Sequence, residues 1–161
     1  MYAPDHGEIA TPIGIVTVTI AVGMVESVTI GQRAASGRGT SRLVQEALEQ
    51  IDAWFHGQRA DFALPLAPAR SARGQALRTA LMAIPYGQTM SYGQLAQITG
   101  SGARAIGQLC ARNPFPLVVP CHRVTAAGGK LGAYSAADGP ASKAWLIAHE
   151  ARHARQFTLS A

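Results

Sequence analysis

Two stretches rich in Val, Ile and Thr, residues 14 to 21 (GIVTVTIA) and 25 to 30 (VESVTI), have the composition and alternation of half-buried strands and are separated by a short turn around Gly23. β-Branched side chains suit a pleated surface, so the pair is expected to form a β-hairpin. Leu43, Val44, Ala47, Leu48, Ile51, Trp54 and Phe55 follow at helical spacing, which predicts an amphipathic helix with Thr40 and Ser41 as N-cap candidates. Residues 64 to 71 (LPLAPARS) carry two prolines and no period, and read as a linker. Beyond it, Ala72, Ala76, Leu77, Ala80, Leu81 and Ile84 mark one face of a helix that Pro85 ends.

A second helix is expected from Ser91, where Ser91 and Gln94 make the S-x-x-Q pattern of a capping box. A third is expected from about Gly102 to Arg112, with Gly100 in the turn between them, so the pair suggests a helix-turn-helix. The third helix opens on Gly102, Ala103, Arg104, Ala105 and Gly107, small residues that would let another surface approach the backbone. Arg104 stands in the first turn, where the helix macrodipole disfavours a cation, and a nucleic-acid contact accounts for it better than stability does. The run 117 to 119 (LVV), fenced by Pro114, Pro116 and Pro120, reads as a buried strand that carries Cys121. In the last helix Pro140 occupies the first turn, and Leu146, Ile147 and Glu150 share one face.

With 161 residues, 48% hydrophobic and 14% charged, the chain is long and apolar enough to bury a core. Fourteen Lys and Arg against nine Asp and Glu give a net charge of +5, which favours a polyanionic partner. No stretch has the pattern of a signal peptide or the ~20 apolar residues of a membrane span, so a cytoplasmic protein without a membrane partner is expected. Cys110 and Cys121 are too few for a disulfide framework or an all-cysteine zinc site. Cys110, on the third helix, is expected to be a small packing residue.

Cys121 and His122 are adjacent, and neighbouring side chains diverge on both strands and helices, so a direct dyad is disfavoured and activation is expected to pass through a water. A carboxylate on the apolar stripe of the last helix needs a buried partner, and His122 could be that partner of Glu150. The result would be a Cys-water-His-Glu relay that lowers the thiol pKa.

The motifs PCHRV (120 to 124), RNP (112 to 114), GAYS (132 to 135), WLIAHE (145 to 150), IPYGQTMSYGQLA (84 to 96) and ARAIG (103 to 107) closely resemble those of the O6-alkylguanine-DNA alkyltransferases. The specific part of the resemblance covers roughly 84 to 150; before residue 70 it rests only on the order hairpin, then helix. It implies an α+β chain with two domains. Residues 1 to 66 would be a small ribonuclease H-like unit of sheet and helix, and residues 67 to 161 a mostly helical unit like a winged helix-turn-helix.

The activity implied is repair of O6-alkylguanine in double-stranded DNA by a monomer, with no cofactor and no metal, the alkyl group passing irreversibly to the protein's own cysteine. By position, Cys121 would be the acceptor, His122 would act through water, Glu150 would orient His122, and Asn113 would brace the turn. Tyr92 would donate toward the guanine ring, Ser135 would stabilise O6 as the leaving group, and Tyr134 would wall the pocket. The backbones of Cys121 and Val124 would receive the exocyclic amine. Arg104 would fill the gap left by the flipped base, with Ala103, Ala105, Gly107 and Arg112 beside the DNA.

The chain departs from many relatives in a longer 135 to 150 segment, a shorter 92 to 104 segment, Ala72 and Leu77 in place of aromatics, and no cysteines before residue 70.

Three rivals are weighed against this. HEARH (149 to 153) matches the zinc-protease signature H-E-x-x-H, with His149 and His153 as ligands and Glu150 as base, but RQFTLSA after it offers no usual third ligand type. A lesion-sensing alkyltransferase-like protein would bind without transfer, yet such proteins lack the acceptor that Cys121 supplies. A Cys-His hydrolase is disfavoured by the adjacency of Cys121 and His122.

Overall fold

A computed structural model describes residues 5–31, 39 and 41–158. Strands β1 (Asp5–Thr11), β2 (Gly14–Ala21) and β3 (Met24–Gly31) form an antiparallel meander in the order β1-β2-β3. The expected hairpin is β2–β3, and its turn places Val22 and Gly23 at φ 52° and 73°, the left-handed pair that matches strand twist. Strand β1 is an addition to the expectation. Its sequence DHGEIAT has little β-branched character, and it becomes a strand by pairing with β2 along its whole length, Asp5 opposite Ile20 through Thr11 opposite Gly14.

Helix α1 (Arg42–Phe55) covers one face of this sheet with Val44, Ala47, Leu48, Ile51 and Trp54, against buried Val16, Val18, Ile20, Val28 and Ile30. Its N-cap is Ser41, which accepts a hydrogen bond from Val44 N–H; Thr40, the other candidate, lies outside the described residues. Helix and sheet meet most closely at Gly7. A Cβ there would stand 2.5 Å from Val44 Cγ1 and 3.0 Å from Leu48 Cδ1.

The free edge of β3 is where the sheet joins the rest of the chain. Val25 N–H donates to Pro65 O at 2.7 Å and Val25 O accepts from Ala67 N–H at 2.9 Å, so the stretch read as a linker is seated along the strand. Val28 N–H donates to Pro114 O at 2.9 Å, and Ile30 O accepts from Ala137 N–H at 3.0 Å. These bonds give the edge donors and acceptors partners that they would otherwise take from water.

Helix α2 (Ala72–Met82), capped by Ser71, buries Leu77 and Leu81, with Ile84 buried just beyond its end. Ala72 and Ala76, expected on the buried face, are exposed. The first two turns of α2 run between two open grooves, one bordered by Arg73 and Ala76 and the other by Ser71 and Gly74, and burial begins only at Leu77. Helices α3 (Tyr92–Thr99) and α4 (Ala103–Ala111) form the helix-turn-helix. Both halves of the Ser91–Gln94 capping box are present, and Gly100 closes α3 at φ +71°, a conformation glycine adopts without strain. Two-residue strands β4 (Met90–Ser91) and β5 (Val124–Thr125) pair in parallel and tie the start of α3 to the segment after Cys121. Helix α5 (Pro140–Thr158) ends the described chain. Among the described residues no helix is long and apolar enough to cross a membrane.

The run before Cys121 is not the expected strand. It is a series of turns: Val119 N–H bonds Phe115 O at 2.9 Å, and Leu117 sits at φ +77°. Pro120, at φ −81° and ψ 64°, makes an inverse γ-turn closed by Cys121 N–H to Val119 O at 2.8 Å. Cys121–Arg123 then form one turn of 3-10 helix. Three prolines in seven residues cannot donate to a ladder, which removes the strand option despite the apolar character of the run.

Gly7→Ala is expected to lower stability by about 1–3 kcal/mol through overpacking of stiff Val44, seen as a lower denaturant midpoint with unchanged slope. Gly107→Ala, where a Cβ would meet nothing within 4 Å, should cost nothing in the same measurement.

Candidate active site

The 3-10 turn, the start of α3, one face of α4 and the loop before α5 surround a cavity of ≈ 610 Å³. It brings together Cys121, Tyr92, Tyr134, Ser135, Ala103, Arg104 and Gly107 of the expected set, with Cys110, Gln108, Ala111 and Ala133 completing the wall. Cys121 is buried, and a second cavity of ≈ 260 Å³ on the β3 side also touches Cys110, Cys121, Tyr134 and Ser135. Arg104 is exposed at the start of α4.

The two residues after the cysteine enter a buried polar cluster. Glu150 Oε2 accepts from His122 Nε2 at 2.8 Å, with both side chains removed from solvent. Arg123 grips the same carboxylate, through Nε at 2.9 Å from Oε1 and Nη2 at 2.8 Å from Oε2, and its Nη1 donates to Ile84 O at 2.7 Å. Gly87 N–H supplies a further donor to Oε1 at 3.2 Å. Burial by itself would raise the Glu150 pKa, but the donors of His122 and Arg123 outweigh it and hold the carboxyl at about 2.

Burial pushes the His122 pKa down despite its carboxylate partner, so the ring is neutral and carries its proton on Nε2. That tautomer makes Nδ1 an acceptor, and Nδ1 is buried with no protein partner among the described residues. Trp54 of α1 packs edge-on against the His122 ring at 6.3 Å, so the N-terminal helix forms part of the wall of the cluster.

Asn113 spans the turns before the cysteine. Its Nδ2 donates to Val119 O at 2.9 Å and its Oδ1 accepts from Phe115 N–H at 3.0 Å. The expected lowering of the thiol pKa through the relay is not what the site does at rest. Burial pushes Cys121 up, and the opposing influences come from Asn113 and the charge of Lys143 rather than from His122. Burial thus favours the protonated thiol at Cys121.

Several expected residues stand apart from the main cavity. Val124 is fully buried, with its N–H on Cys121 O. Ala105 is half-buried and does not line the cavity, and exposed Arg112, the C-cap of α4, borders a different groove with Glu26 and Phe115. The Ser135 hydroxyl donates to Ala111 O at 3.1 Å, so its side-chain donor is committed to the end of α4.

The zinc-protease reading fails on geometry. His149 places Nε2 on Trp54 O at 2.9 Å, His153 places Nδ1 on His149 O at 2.9 Å, and Glu150 faces His122 and Arg123.

The family described as "6-O-methylguanine DNA methyltransferase, DNA binding domain" matches residues 73–152. A methylated-DNA–protein-cysteine methyltransferase of Mycolicibacterium paratuberculosis is 41% identical over 114 residues, covering 70% of this chain and 68% of that protein. The chain belongs to the methylated-DNA–protein-cysteine methyltransferase family. A relative of the same name in Mycobacterium leprae is 44% identical over 91 residues, and the chain spans 55% of that protein's length. In structure, the chain is similar to Mycobacterium tuberculosis O6-methylguanine methyltransferase, with TM-score 0.81, 30% identity and 94% of each chain covered. It is also similar to the M. tuberculosis protein OGT in complex with DNA, with TM-score 0.79, 30% identity, and 92% and 93% of the two chains covered.

Sequence reasoning passed over two buried cations of this family member. Arg123 sits inside the PCHRV motif, and a signal for it was the buried carboxylate itself, which needs more donors than one imidazole provides. Lys143 falls one turn before Leu146 and Ile147 and two before Glu150, so extending the α5 stripe backwards reaches it.

Glu150→Gln should destabilise the protein by about 3–5 kcal/mol, because Arg123 would stay buried without its counter-charge. The folded Glu150 pKa, about 2, lies below the ordinary 4.5. Its contribution, on the order of 3 kcal/mol, is therefore complete above about pH 4.5 and is lost as pH falls toward 2. Neutral His122 acts in the same direction below about 6.5, its ordinary value. Denaturation midpoints measured from pH 7 to pH 3 should fall steeply for the native protein, and Glu150→Gln should flatten the acid limb of that curve.

Proposed function

We propose that this protein repairs O6-alkylguanine, chiefly O6-methylguanine, in duplex DNA by transferring the alkyl group to Cys121 once per molecule. The observation that carries the reading is the cavity lined by Cys121, Tyr92, Tyr134 and Ser135, with the residue after the cysteine, His122, held in a buried hydrogen bond to Glu150. The alternative, a lesion sensor that binds without transfer, is disfavoured because the acceptor thiol faces that cavity.

The basic chain meets DNA through the helix-turn-helix. Ala103 and Gly107 present little bulk, so α4 comes close to the duplex, and exposed Arg104 enters the stack as the target nucleotide rotates out. Extrusion costs a few kcal/mol, less for a mispaired lesion, which favours damaged bases. In the cavity Tyr92 and Tyr134 flank the base. A water bound at His122 Nδ1 takes the Cys121 proton, and Glu150, holding Nε2–H, keeps the ring in the tautomer that can accept it. The sulfur attacks the alkyl carbon, the carbon–O6 bond breaks, and the electron pair leaves with guanine. Tyr92 and the Ser135 region meet the developing charge, and the proton returns to the base from His122 through water. The thioether has no route back, so each molecule reacts once.

Residues 1–66 act as the support and residues 67–161 carry DNA binding and chemistry. The protein works as a monomer in the cytoplasm.

Incubation with duplex DNA containing one O6-methylguanine, followed by intact mass and peptide mapping, should show one added methyl on the Cys121 peptide and none in Cys121→Ser. Tight binding without mass gain would instead establish the sensor. Arg104→Ala should slow repair of duplex DNA at least about tenfold more than reaction with a free O6-alkylated base. Equal losses would remove Arg104 from base extrusion.

A further inference from the structure

A groove of ≈ 690 Å³ runs between α2, the 67–71 segment and the end of α4, larger than the cavity at Cys121 and within the range of ligand sites. Ala103, Arg104, Gly107 and Ala111 of α4 line the Cys121 cavity, whereas Leu109 and, one turn on, Arg112 border the groove. Residues 107 and 109 stand about 200° apart around a helix, so the two openings lie on opposite faces of α4. The floor of the groove is apolar, from Leu77 of α2, Leu109, Phe115 and Val119. Its walls carry three cations, Arg70, Arg78 and Arg112, against a single carboxylate, Glu26 of β3.

Arg78 is the fixed point of this groove. Its Nη1 donates to Ala67 O at 2.8 Å, and its guanidinium carbon lies 5.0 Å from the centroid of the Phe115 ring. A guanidinium has five N–H donors, and Arg78 gives no other to a described residue. No carboxylate among the described residues pairs with Arg70, Arg78 or Arg112. Burial pushes the Arg78 pKa below the ordinary arginine value, as expected of a cation partly stripped of water with no counter-charge beside it.

An occupant has to satisfy both the arginines and the floor. Planar guanidinium groups with free donors match carboxylates bidentately, and an apolar floor is covered best by an aromatic or aliphatic side chain. A phosphate backbone would meet the cations and leave Leu77, Leu109 and Phe115 uncovered, and a duplex seated on the opposite face of α4 is turned away from the groove. We propose that the groove is a docking site for an acidic segment of a partner protein, its carboxylates on Arg70, Arg78 and Arg112 and an apolar side chain on the floor. The groove and the Cys121 cavity share no lining residue, so partner and DNA can be held at once. This goes beyond the repair reading and does not depend on it.

The probe is a fluorescein-labelled hexapeptide of alternating aspartate and phenylalanine, with its lysine-for-aspartate counterpart as control. Fluorescence polarisation should show the native protein binding the acidic peptide at least about tenfold more tightly than the basic one. Arg78→Met should weaken that binding about tenfold while methyl transfer from lesion DNA is kept. If Arg78→Met does not fold, Arg70→Glu, a change at an exposed position, should give the same loss. In NMR titrations of the native protein, amide shifts should move at residues 67–78 and 109–119. No binding at about 1 mM peptide, equal binding of the two peptides, unchanged affinity in a folded variant, or shifts confined to the Cys121 cavity would each overturn the proposal. An undamaged duplex that displaces the peptide and loses affinity by the same factor in Arg78→Met would assign the groove to DNA, and would overturn it too.

Discussion

The structure depends on one buried carboxylate. Glu150 accepts from His122, Arg123 and the Gly87 backbone, and Arg123 continues to Ile84 O. Those contacts join α5 to the cysteine turn, to the end of the α2 segment and to the loop that leads to α3. A charge removed from water costs several kcal/mol and is tolerated only when each lone pair is met, which here requires all four segments in register. The same saturation fixes the imidazole proton on Nε2 and leaves Nδ1 as an acceptor with no partner among the described residues. Fold and imidazole tautomer thus share a single set of hydrogen bonds.

The thiol is held by a different device. Strand geometry would have let Cys121 slide or face either side. Instead an Asn113 side chain bonded at both ends, a left-handed Leu117 and an inverse γ-turn at Pro120 deliver it to the start of a 3-10 turn. A non-glycine residue at φ +77° is strained by about 1–3 kcal/mol and survives only where its surroundings over-determine it. Phe115, Val118 and Val119 provide that surrounding as part of the core, and β3 grips the turn from outside through Pro114 O. The small N-terminal sheet in this way sets the position of a residue ninety positions further along the chain.

Much of this was legible in the sequence, and the failures have physical reasons. Elements whose periodicity is apolar were found: β2, β3, α1, α3 with its capping box, and α4. Strand β1 escaped because its stability comes from its partner rather than from its own side chains, Gly7 and Glu8 included. The turns at 114–120 were mistaken for a strand because hydrophobicity reports burial and not conformation. In the site, His122–Glu150 could be inferred from the cost of a carboxylate on an apolar stripe. Lys143, on that same stripe, was passed over, since a lone lysine is usually exposed. The Ser135 hydroxyl could not be placed from sequence, since its bond to Ala111 O depends on how the loop closes on α4.

Helix α5 therefore carries two opposite charges into the core, seven residues and two turns apart. Toward the imidazole it presents Glu150, whose charge Arg123 cancels. Toward the tyrosine it presents Lys143, which no carboxylate among the described residues pairs with. Each charge depends on the few partners it has, Glu150 on His122 and Arg123 and Lys143 on Ala133 O and the Tyr92 ring, so α5 is fixed against the cysteine turn at one end and against α3 and the 132–135 loop at the other. Low polarity around the cavity strengthens both interactions by the same physics that favours the protonated thiol.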